Sequence, residues 1–294
     1  MAIIAQIQGG LGNQLFQYAA ARSLSCHYKT NLLLDSAWYK GPFEDVTPRT
    51  FLLNRFAIEA KIISLKEPMR SPRRLRRLLQ EYFPINPFIA KEKKHYVFDS
   101  HLLQLPLISR RHVYLMGYWQ SYKYFENIRS LLQKELLPIE GLDKHHQAYL
   151  NAINDGSSTM LHVRRGDYVQ LRSAADIHNV VDLNYYQRAM RYALERDPST
   201  RFFVFSDDLQ WAKSHLPYTE RLVLIEPQLG GDDVIQELVL MRSCHNHIIA
   251  NSSLSWWGAW LADQSSGFVL TPSRWISDPA MSVEDLLPPE WIRL

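Results

Sequence analysis

Two adjacent arginines, Arg164 and Arg165, lie at the end of a predicted β-strand over 159–164, and they are the first residues in this sequence that suggest chemistry. His162 and Arg164 share one face of that strand because side chains alternate along it. Arg165 and Asp167 come next. An arginine at a buried strand end is costly without a partner, and its planar fork suits carboxylates and phosphates. We expect one Arg–Asp pair to hold the loop and Arg164 to bind a ligand phosphate.

A pair of acids follows the next predicted strand, which covers 201–206. Asp207 and Asp208 precede a predicted helix, and Asp is a preferred residue at a helix N-terminus. One of the two acids is therefore expected to cap this helix. The other is free to accept hydrogen bonds from a ribose or a base edge. A carboxylate matches the paired N–H donors of guanine, which adenine does not present on that edge.

A third polar group lies where the predicted strand 247–251 meets a helix. Asn251, Ser252 and Ser253 place hydroxyls and backbone N–H groups at this helix N-terminus. The helix dipole favours an anion there by about 0.3–1 kcal/mol when the charge is exposed. The alternative is an ordinary helix cap above a tryptophan-rich core. If this helix N-terminus is an anion site, the polar residues at the ends of the three predicted strands together form a nucleotide-diphosphate site.

A glycine-rich turn opens the chain, between a predicted strand over 2–8 and a helix over 14–25. Gly10 and Gly12 fit the dinucleotide fingerprint G-x-G-x-x-G, but Leu15 occupies its third glycine position. Together with Asn13, the turn either brings the backbone close to a ligand or simply needs a positive φ. Both interpretations stay open from the sequence.

No metal site or resident cofactor is expected. The sequence has no Asp-x-Asp, no H-E-x-x-H and two cysteines, Cys26 and Cys244. Two cysteines are too few for a disulfide framework or a four-cysteine zinc site. The charge of a leaving diphosphate would then have to be met by Arg164 and helix-terminal N–H groups.

The charge balance excludes a strongly basic nucleic-acid-binding protein. The 294 residues have a formal net charge of +3, and one short arginine run accounts for the whole excess. This run is interpreted either as a solvated helix face or as a peripheral contact with anionic lipid, worth about 1 kcal/mol per residue. Its members are Arg70, Arg73, Arg74, Arg76 and Arg77.

The elements that must position these residues alternate between strand and helix. This alternation predicts an α/β fold with parallel sheets, whose ligands bind beyond the carboxyl ends of the strands. The segment 41–105 is expected to form short helices and loops, and a boundary near residue 140 separates two halves with a cleft between them. The remaining strands are predicted over 31–34, 112–116, 222–226 and 267–271, and the remaining helices over 122–136, 183–195, 209–215, 234–243 and 255–262.

The motifs together resemble the α-1,2-fucosyltransferases of glycosyltransferase family 11. Four segments carry the resemblance in order and spacing, and a fifth, 117–125, is also similar to a family segment. Leu254 departs from the family, where phenylalanine is expected. The four segments are Gly9-Gly10-Leu11-Gly12-Asn13-Gln14, His162-Val163-Arg164-Arg165-Gly166-Asp167-Tyr168, Phe205-Ser206-Asp207-Asp208 and Asn251-Ser252-Ser253-Leu254-Ser255-Trp256-Trp257.

The resemblance implies a GT-B fold, in which two Rossmann-like domains face a central cleft. Residues 1–140 would be the acceptor side and 141–294 the donor side. It further implies a galactoside α-1,2-fucosyltransferase that moves L-fucose with inversion from GDP-β-L-fucose to the 2-hydroxyl of a terminal galactose on a glycan. Arg164 is the predicted catalytic residue. The predicted donor-binding residues are Gly10, Gly12, Asn13, His162, Arg164, Arg165, Asp167, Asp207, Asp208, Asn251, Ser252 and Ser253.

Two other functional classes remain open from the sequence. One is a related metal-independent GT-B transferase that uses another sugar nucleotide, and the other is a non-catalytic sugar-nucleotide-binding module. No general base is evident. The first residues do not form a signal peptide, and no apolar run is long enough to cross a membrane. A cytoplasmic enzyme, peripheral to the inner face of the membrane if the arginine run contacts lipid, is therefore expected.

Overall fold

The structure, a computed structural model, divides into two compact units. Unit 1 comprises Met1–Ile139 and Ser282–Leu287, and unit 2 comprises Glu140–Met281 and Pro288–Leu294. Each unit has one parallel β-sheet in its described part, as the strand–helix alternation predicts. The residues that the structure describes are 2–41, 48–65, 87–105, 112–165, 181–228, 234–263, 267–278 and 280–294.

Unit 1 contains a five-stranded sheet in the order β3-β2-β1-β5-β4. All five residues of the central strand β1 are buried, as expected for a parallel sheet that is covered on both faces. Helix α1 follows β1 directly and packs against it. The strands are β1 Ala2–Gln6, β2 Asn31–Asp35, β3 Lys61–Ile63, β4 Phe88–Lys91 and β5 Val113–Met116, and the α-helices are α1 Leu11–His27 and α2 Arg129–Glu135.

Two predictions for the edge strands of the unit 1 sheet and the segment after β5 need correction. Strands β3 and β4 lie in the segment expected to be helices and loops, because three or four residues are too short for a recognisable alternation. The predicted helix over 122–136 is broken into two 3₁₀ turns, Tyr122–Tyr124 and Glu126–Ile128, followed by α2. The break occurs at Phe125, whose side chain is fully buried and whose φ of −142° is not helical.

Unit 2 contains a six-stranded sheet in the order β11-β10-β9-β6-β7-β8. Three predicted elements have the observed bounds, namely the strand over 201–206 and the helices over 209–215 and 234–243. The bounds of the other predicted elements shift by one to three residues. The strands are β6 Ser158–Val163, β7 Arg201–Ser206, β8 Leu222–Leu224, β9 Asn246–Ile248, β10 Val269–Thr271 and β11 Ile292–Arg293. The helices are α3 Lys144–Asn154, α4 Leu183–Arg196, α5 Leu209–His215, α6 Val234–Ser243 and α7 Ser253–Leu261.

Helix α3 was not predicted from the sequence. Its composition is polar, and its buried side chains are His146 and Ile153, so few apolar residues mark the buried face. The helix has a clear start signal, because the Asp143 carboxylate accepts a hydrogen bond from the His146 N–H at 2.9 Å. Strand β11 was also missed, because it has only two residues.

The segment Ser282–Leu287 differs from the expected domain division, which placed all of 141–294 in one half. Asp285 holds this segment on unit 1. Its carboxylate accepts hydrogen bonds from the Phe98 N–H at 2.8 Å and from the Lys123 ammonium at 2.6 Å. Its carbonyl accepts a third from the Tyr122 N–H. The chain therefore returns to unit 1 before it ends in unit 2.

Two sets of predicted residues lie outside the described part of the chain. These are the arginine run, Arg70 to Arg77, and Asp167. Lipid contact by the run and an Asp167 pair therefore stay predictions. Within the described ranges, no helix combines the length and the apolar character that a membrane span requires.

His247 predicts an acid-sensitive stability of unit 2. Burial lowers the pKa of this β9 histidine from 6.5 to about 4. The contact of its Nε2 with the Met241 carbonyl, at 2.9 Å, fits a neutral ring that donates from Nε2, and no described acceptor is within reach of Nδ1. The unfolded chain takes up this proton more readily, so stability is present above pH 6.5 and is lost as pH falls towards 4. At pH 5 the loss is about 2 kcal/mol.

Urea unfolding at pH 7.5 and pH 5.0 tests this expectation. His247→Gln keeps an amide N–H donor for Met241 but has no proton to gain. The variant should therefore lose about 2 kcal/mol less than the unsubstituted protein between the two pH values. Equal losses in both proteins would show that His247 is not protonated on unfolding.

Candidate functional site

The glycine turn precedes α1 at the carboxyl end of β1. Gly9 has a φ of +80°, and a Cβ there would lie 2.9 Å from Asn13 Nδ2, so this position requires glycine. The Gly9 carbonyl accepts hydrogen bonds from Gln14 Nε2 at 3.1 Å and from the Tyr39 hydroxyl at 2.9 Å. The positive-φ interpretation of the turn is thus confirmed at Gly9. Its role in ligand binding remains a proposal.

Helix α1 begins three residues earlier than predicted, because Gly10 is its N-cap residue. Gly12 and Asn13 consequently belong to the first helical turn rather than to the preceding loop. The Asn13 side chain accepts a hydrogen bond from Gln120 Nε2 at 2.9 Å. This contact ties the glycine turn to the segment that follows β5.

Unit 2 brings the remaining predicted residues that the structure describes to a single sheet edge. Strands β9, β6 and β7 are neighbours and run parallel, so their carboxyl ends lie side by side. Arg164 follows β6, Asp207 follows β7, and 251–253 follows β9. These residues are far apart in sequence, and the sheet order explains why they share one edge.

Asp207 is the ion-pair partner of Arg164 in the described structure. Arg164 Nε lies 3.1 Å from one carboxylate oxygen, and the Arg165 N–H donates to the other oxygen at 2.8 Å. Both side chains of the ion pair are about one-quarter exposed. An Arg–Asp ion pair is present, but it involves Arg164, which was expected to bind the ligand, and its acid follows the neighbouring strand β7. Asp207, rather than being free for a base or ribose, contacts the two arginines.

Asp208 has the capping role that was expected of one of the two acids. Its carboxylate accepts a hydrogen bond from the Trp211 N–H at 3.0 Å, which caps α5. Its own N–H donates to the Ser206 hydroxyl at 2.9 Å. Asp208 therefore fixes the start of α5 directly beside the Arg164–Asp207 pair.

The Arg165 side chain packs on an aromatic ring that the sequence reasoning did not include. Its guanidinium lies 4.1 Å from the centroid of the Trp211 ring, within the range of a cation–π contact. The other stacking partner of Trp211 is His215, with ring centroids 4.7 Å apart and planes at 12°. The sequence signal that could have identified Trp211 is its position, three residues after Asp208, the acid that caps α5.

His162 is a neutral group beneath these arginines. It is 4% exposed, and burial, with a further contribution from the Arg164 charge, lowers its pKa to about 3. Its Nδ1 has no hydrogen-bond partner among the described residues. A neutral imidazole can donate or accept one hydrogen bond here without adding charge.

The N-terminus of α7 follows β9. Ser252 is its N-cap residue, but its hydroxyl makes no capping hydrogen bond in the structure. The N–H groups of the first turn have no partner within the helix and point towards its N-terminus. Asn251 is buried, and its side chain donates to the Trp275 carbonyl at 3.1 Å. Ser252 and Ser253 therefore remain the polar side chains available at this anion-compatible position.

Replacement of Asp207 tests how much the ion pair matters for activity. Asp207→Asn can keep the contact with the Arg165 N–H, but its amide turns a donor towards Arg164 Nε. We expect a roughly 10–100-fold lower kcat, because loss of a positioned charge commonly costs one or more factors of ten. The change in unfolding free energy should stay near 1 kcal/mol or less, since the pair is partly solvated.

Asp208→Asn is the matched control, because asparagine caps a helix as well as aspartate does. It should leave kcat within about twofold and the thermal midpoint unchanged. Transfer assays and thermal unfolding of both variants give the comparison. If Asp208→Asn loses as much activity as Asp207→Asn, the ion pair has no special role.

A search for metal sites gives no candidate within the described ranges. No group of three or more His, Cys, Asp or Glu side chains is arranged to hold an ion there. Independence from metal therefore stays a prediction.

A protein-family model matches nearly the whole chain. The model of "Glycosyl transferase family 11" matches residues 2–294. Two Escherichia coli proteins are each 30% identical: an α-1,2-colitosyltransferase, over 99% of this chain and 98% of the relative, and the O-antigen biosynthesis glycosyltransferase WbnK, over 98% and 99%. The bovine galactoside 2-α-L-fucosyltransferase SEC1 is 23% identical over 91% of this chain and 67% of its own.

Comparison with solved structures supports the fold. The α-1,6-fucosyltransferase NodZ, in a crystal soaked with GDP-fucose, aligns with a TM-score of 0.53 and 16% identity. The alignment covers 88% of this chain and 92% of that chain, and NodZ from Bradyrhizobium gives the same TM-score. With two parallel-sheet α/β units, the expected GT-B fold is confirmed.

Proposed function

Because the chain belongs to glycosyltransferase family 11, we propose that it transfers L-fucose from GDP-β-L-fucose to the 2-hydroxyl of a terminal galactose. The product would be an α-1,2-fucoside, formed with inversion at the anomeric carbon. Transfer to position 2 has the broader support, since it is specified in the names of both the α-1,2-colitosyltransferase and the bovine galactoside 2-α-L-fucosyltransferase SEC1. The donor sugar and the acceptor rest on the family resemblance.

The observation that carries the proposal is the placement of Arg164 and the α7 N-terminus after adjacent strands of one sheet. Cleavage of the sugar–phosphate bond leaves negative charge on the β-phosphate of GDP. A guanidinium and helix-terminal N–H groups bind that charge more strongly as it develops. They would lower the barrier without a metal ion.

The other residues would hold the donor in position. Asp207 anchors Arg164 from the side, and the Trp211 ring holds Arg165 beside it. His162 offers a neutral hydrogen-bonding group close to that charge. We assign these residues to the nucleotide-diphosphate end of GDP-fucose. Gly10, Gly12 and Asn13 in unit 1 are assigned to the sugar and acceptor end.

A second candidate is transfer of another sugar from a different sugar nucleotide. The 30% identical relative named as an α-1,2-colitosyltransferase favours this alternative, because it aligns over nearly the whole of both chains. The same Arg164-based chemistry would serve either donor. The two candidates differ in the sugar, and a donor comparison separates them.

The experiment measures GDP release from GDP-fucose, with and without lactose, in excess EDTA. Acceptor-dependent release that survives EDTA supports a metal-independent fucosyltransferase. Binding of GDP-fucose without release favours a different acceptor or a non-catalytic module. If GDP-fucose does not bind while another GDP-sugar does, the donor assignment is wrong and the second candidate replaces it.

A further inference from the structure

A cavity of about 310 Å³ opens in unit 1 at the carboxyl ends of β4 and β5. Its size is at the lower end of the range for small-molecule sites, about 300–1,000 Å³, and suits a ligand of one or two rings. Its walls come from the loop after β4, residues 92–101, and the loop after β5, residues 117–124. None of the sequence motifs assigned to the donor lies in this region. The segment 117–125 resembles a family segment but was assigned no ligand.

The lining has an apolar wall and a balanced polar rim. Val97, Phe98, Trp119 and Tyr124 form the apolar part. The rim carries two lysines and two carboxylates, so its formal charges cancel when its histidine is neutral. A neutral ligand with an apolar face and many hydroxyls fits this arrangement better than an anionic nucleotide does. The rim residues are Glu92, Lys93, Lys94, Asp99, Ser100 and His101.

Glu92 fixes the second loop against the first. Its side chain is 5% exposed, and its two oxygens accept hydrogen bonds from the Tyr118 N–H at 2.9 Å and the Trp119 N–H at 3.0 Å. His95 Nδ1 lies 3.0 Å from the same carboxylate, which raises the pKa of His95. The buried Glu92 carboxylate thus holds the backbone of the loop after β5 against the loop after β4.

Backbone strain is concentrated in the same two loops. Four non-glycine residues in the described chain have positive φ, and two of them belong to these loops: Tyr96 at 60° and Trp119 at 55°. Gly117 has a φ of +154°, and a Cβ there would lie 2.3 Å from Glu92 Cβ. Such strain costs about 1–3 kcal/mol per residue and is typical of ligand clamps.

We propose that this cavity binds a neutral sugar ring of the acceptor glycan. The inference rests on the proposed function for the identity of the ligand. The hydrogen bond from Gln120 to Asn13 connects the cavity loop to the glycine turn, which is the segment assigned to the sugar end of the donor. Glu92 is then a positioning residue, which keeps Trp119 and the cavity wall in place.

Filling the cavity tests the proposal. Val97 and Ser100 lie on its lining and are solvent-exposed, so Val97→Phe and Ser100→Trp add volume there without disturbing the core. Both should raise the acceptor KM by tenfold or more and leave the KM for GDP-fucose within twofold. Ile62→Trp is the control, because Ile62 is 41% exposed on β3, at the opposite edge of the same sheet.

A donor-free binding measurement separates this proposal from the donor assignment. Saturation-transfer NMR on the full chain would use methyl β-galactoside, lactose and N-acetyllactosamine as probes. Binding by the unsubstituted protein that is lost in both filled variants supports the proposal, even if GDP-fucose proves to be the wrong donor. Unchanged acceptor KM in both variants overturns it, as does failure of all three probes to bind the unsubstituted protein.

Discussion

Arg164→Lys is expected to lower kcat by about 10²–10³-fold while the protein stays folded. Lysine keeps the positive charge but lacks the planar fork, so it cannot hold Asp207 and a phosphate oxygen in fixed directions. Loss of one charge-stabilising donor costs roughly 3–4 kcal/mol of transition-state binding. The affinity for GDP should fall less than kcat, because the charge that matters develops as the bond to the sugar breaks.

Steady-state transfer assays and GDP titrations check this expectation, with Arg196→Lys as the matched control. Arg196 is the last residue of α4 and stacks on Tyr192, away from the strand ends that carry the site. Its substitution should leave kcat within about twofold. An Arg164→Lys protein with nearly normal kcat would remove Arg164 from the proposed mechanism.

Asp35→Ala should produce the largest loss of stability among the changes considered. Asp35 is 2% exposed, and its carboxylate accepts hydrogen bonds from the Ala37 and Leu65 N–H groups at 3.0 and 3.2 Å. The Tyr114 hydroxyl donates a third at 2.6 Å. Alanine leaves three buried donors without an acceptor, at a cost of about 3–5 kcal/mol in total.

Thermal unfolding measures this cost, and the midpoint should fall by roughly 10 °C. Asp35→Asn is the conservative comparison, since its amide oxygen can still accept from the two backbone N–H groups. Its loss should be less than half that of alanine. Similar midpoints for both variants and the unsubstituted protein would mean that these hydrogen bonds contribute little.

Much of unit 2 could be predicted because its central elements are long and clearly patterned. Strand β7, flanked by turn and cap signals, has the predicted bounds, and so does α5 with Asp208 at its cap. The prediction that polar residues gather after the strands also follows from parallel-sheet topology alone. Family membership was evident from four short motifs, since their order and spacing are specific.

The parts that were not predicted depend on pairings between distant segments. Strand β4 has four residues, and only its ladder with β5 identifies it as a strand. Arg164 was expected to bind a ligand phosphate, with Asp167 paired to the other arginine, but sheet order gives Arg164 a partner in Asp207, 43 positions later by the residue numbers. The hydrogen bond from the Trp119 N–H to the Glu92 carboxylate was not evident either, because nothing local in the sequence connects these two residues.

The return of Ser282–Leu287 to unit 1 has a consequence for how the protein is made. Asp285 supplies the acceptors for Phe98 and Lys123, yet it is translated after nearly all of unit 2. At the usual 5–20 residues per second, the ribosome needs roughly 7–30 s to travel from the end of the first segment of unit 1 to this one. Unit 1 therefore emerges first but is completed only after nearly all of unit 2 has been made, and a nascent chain that stalls before residue 282 leaves unit 1 unfinished.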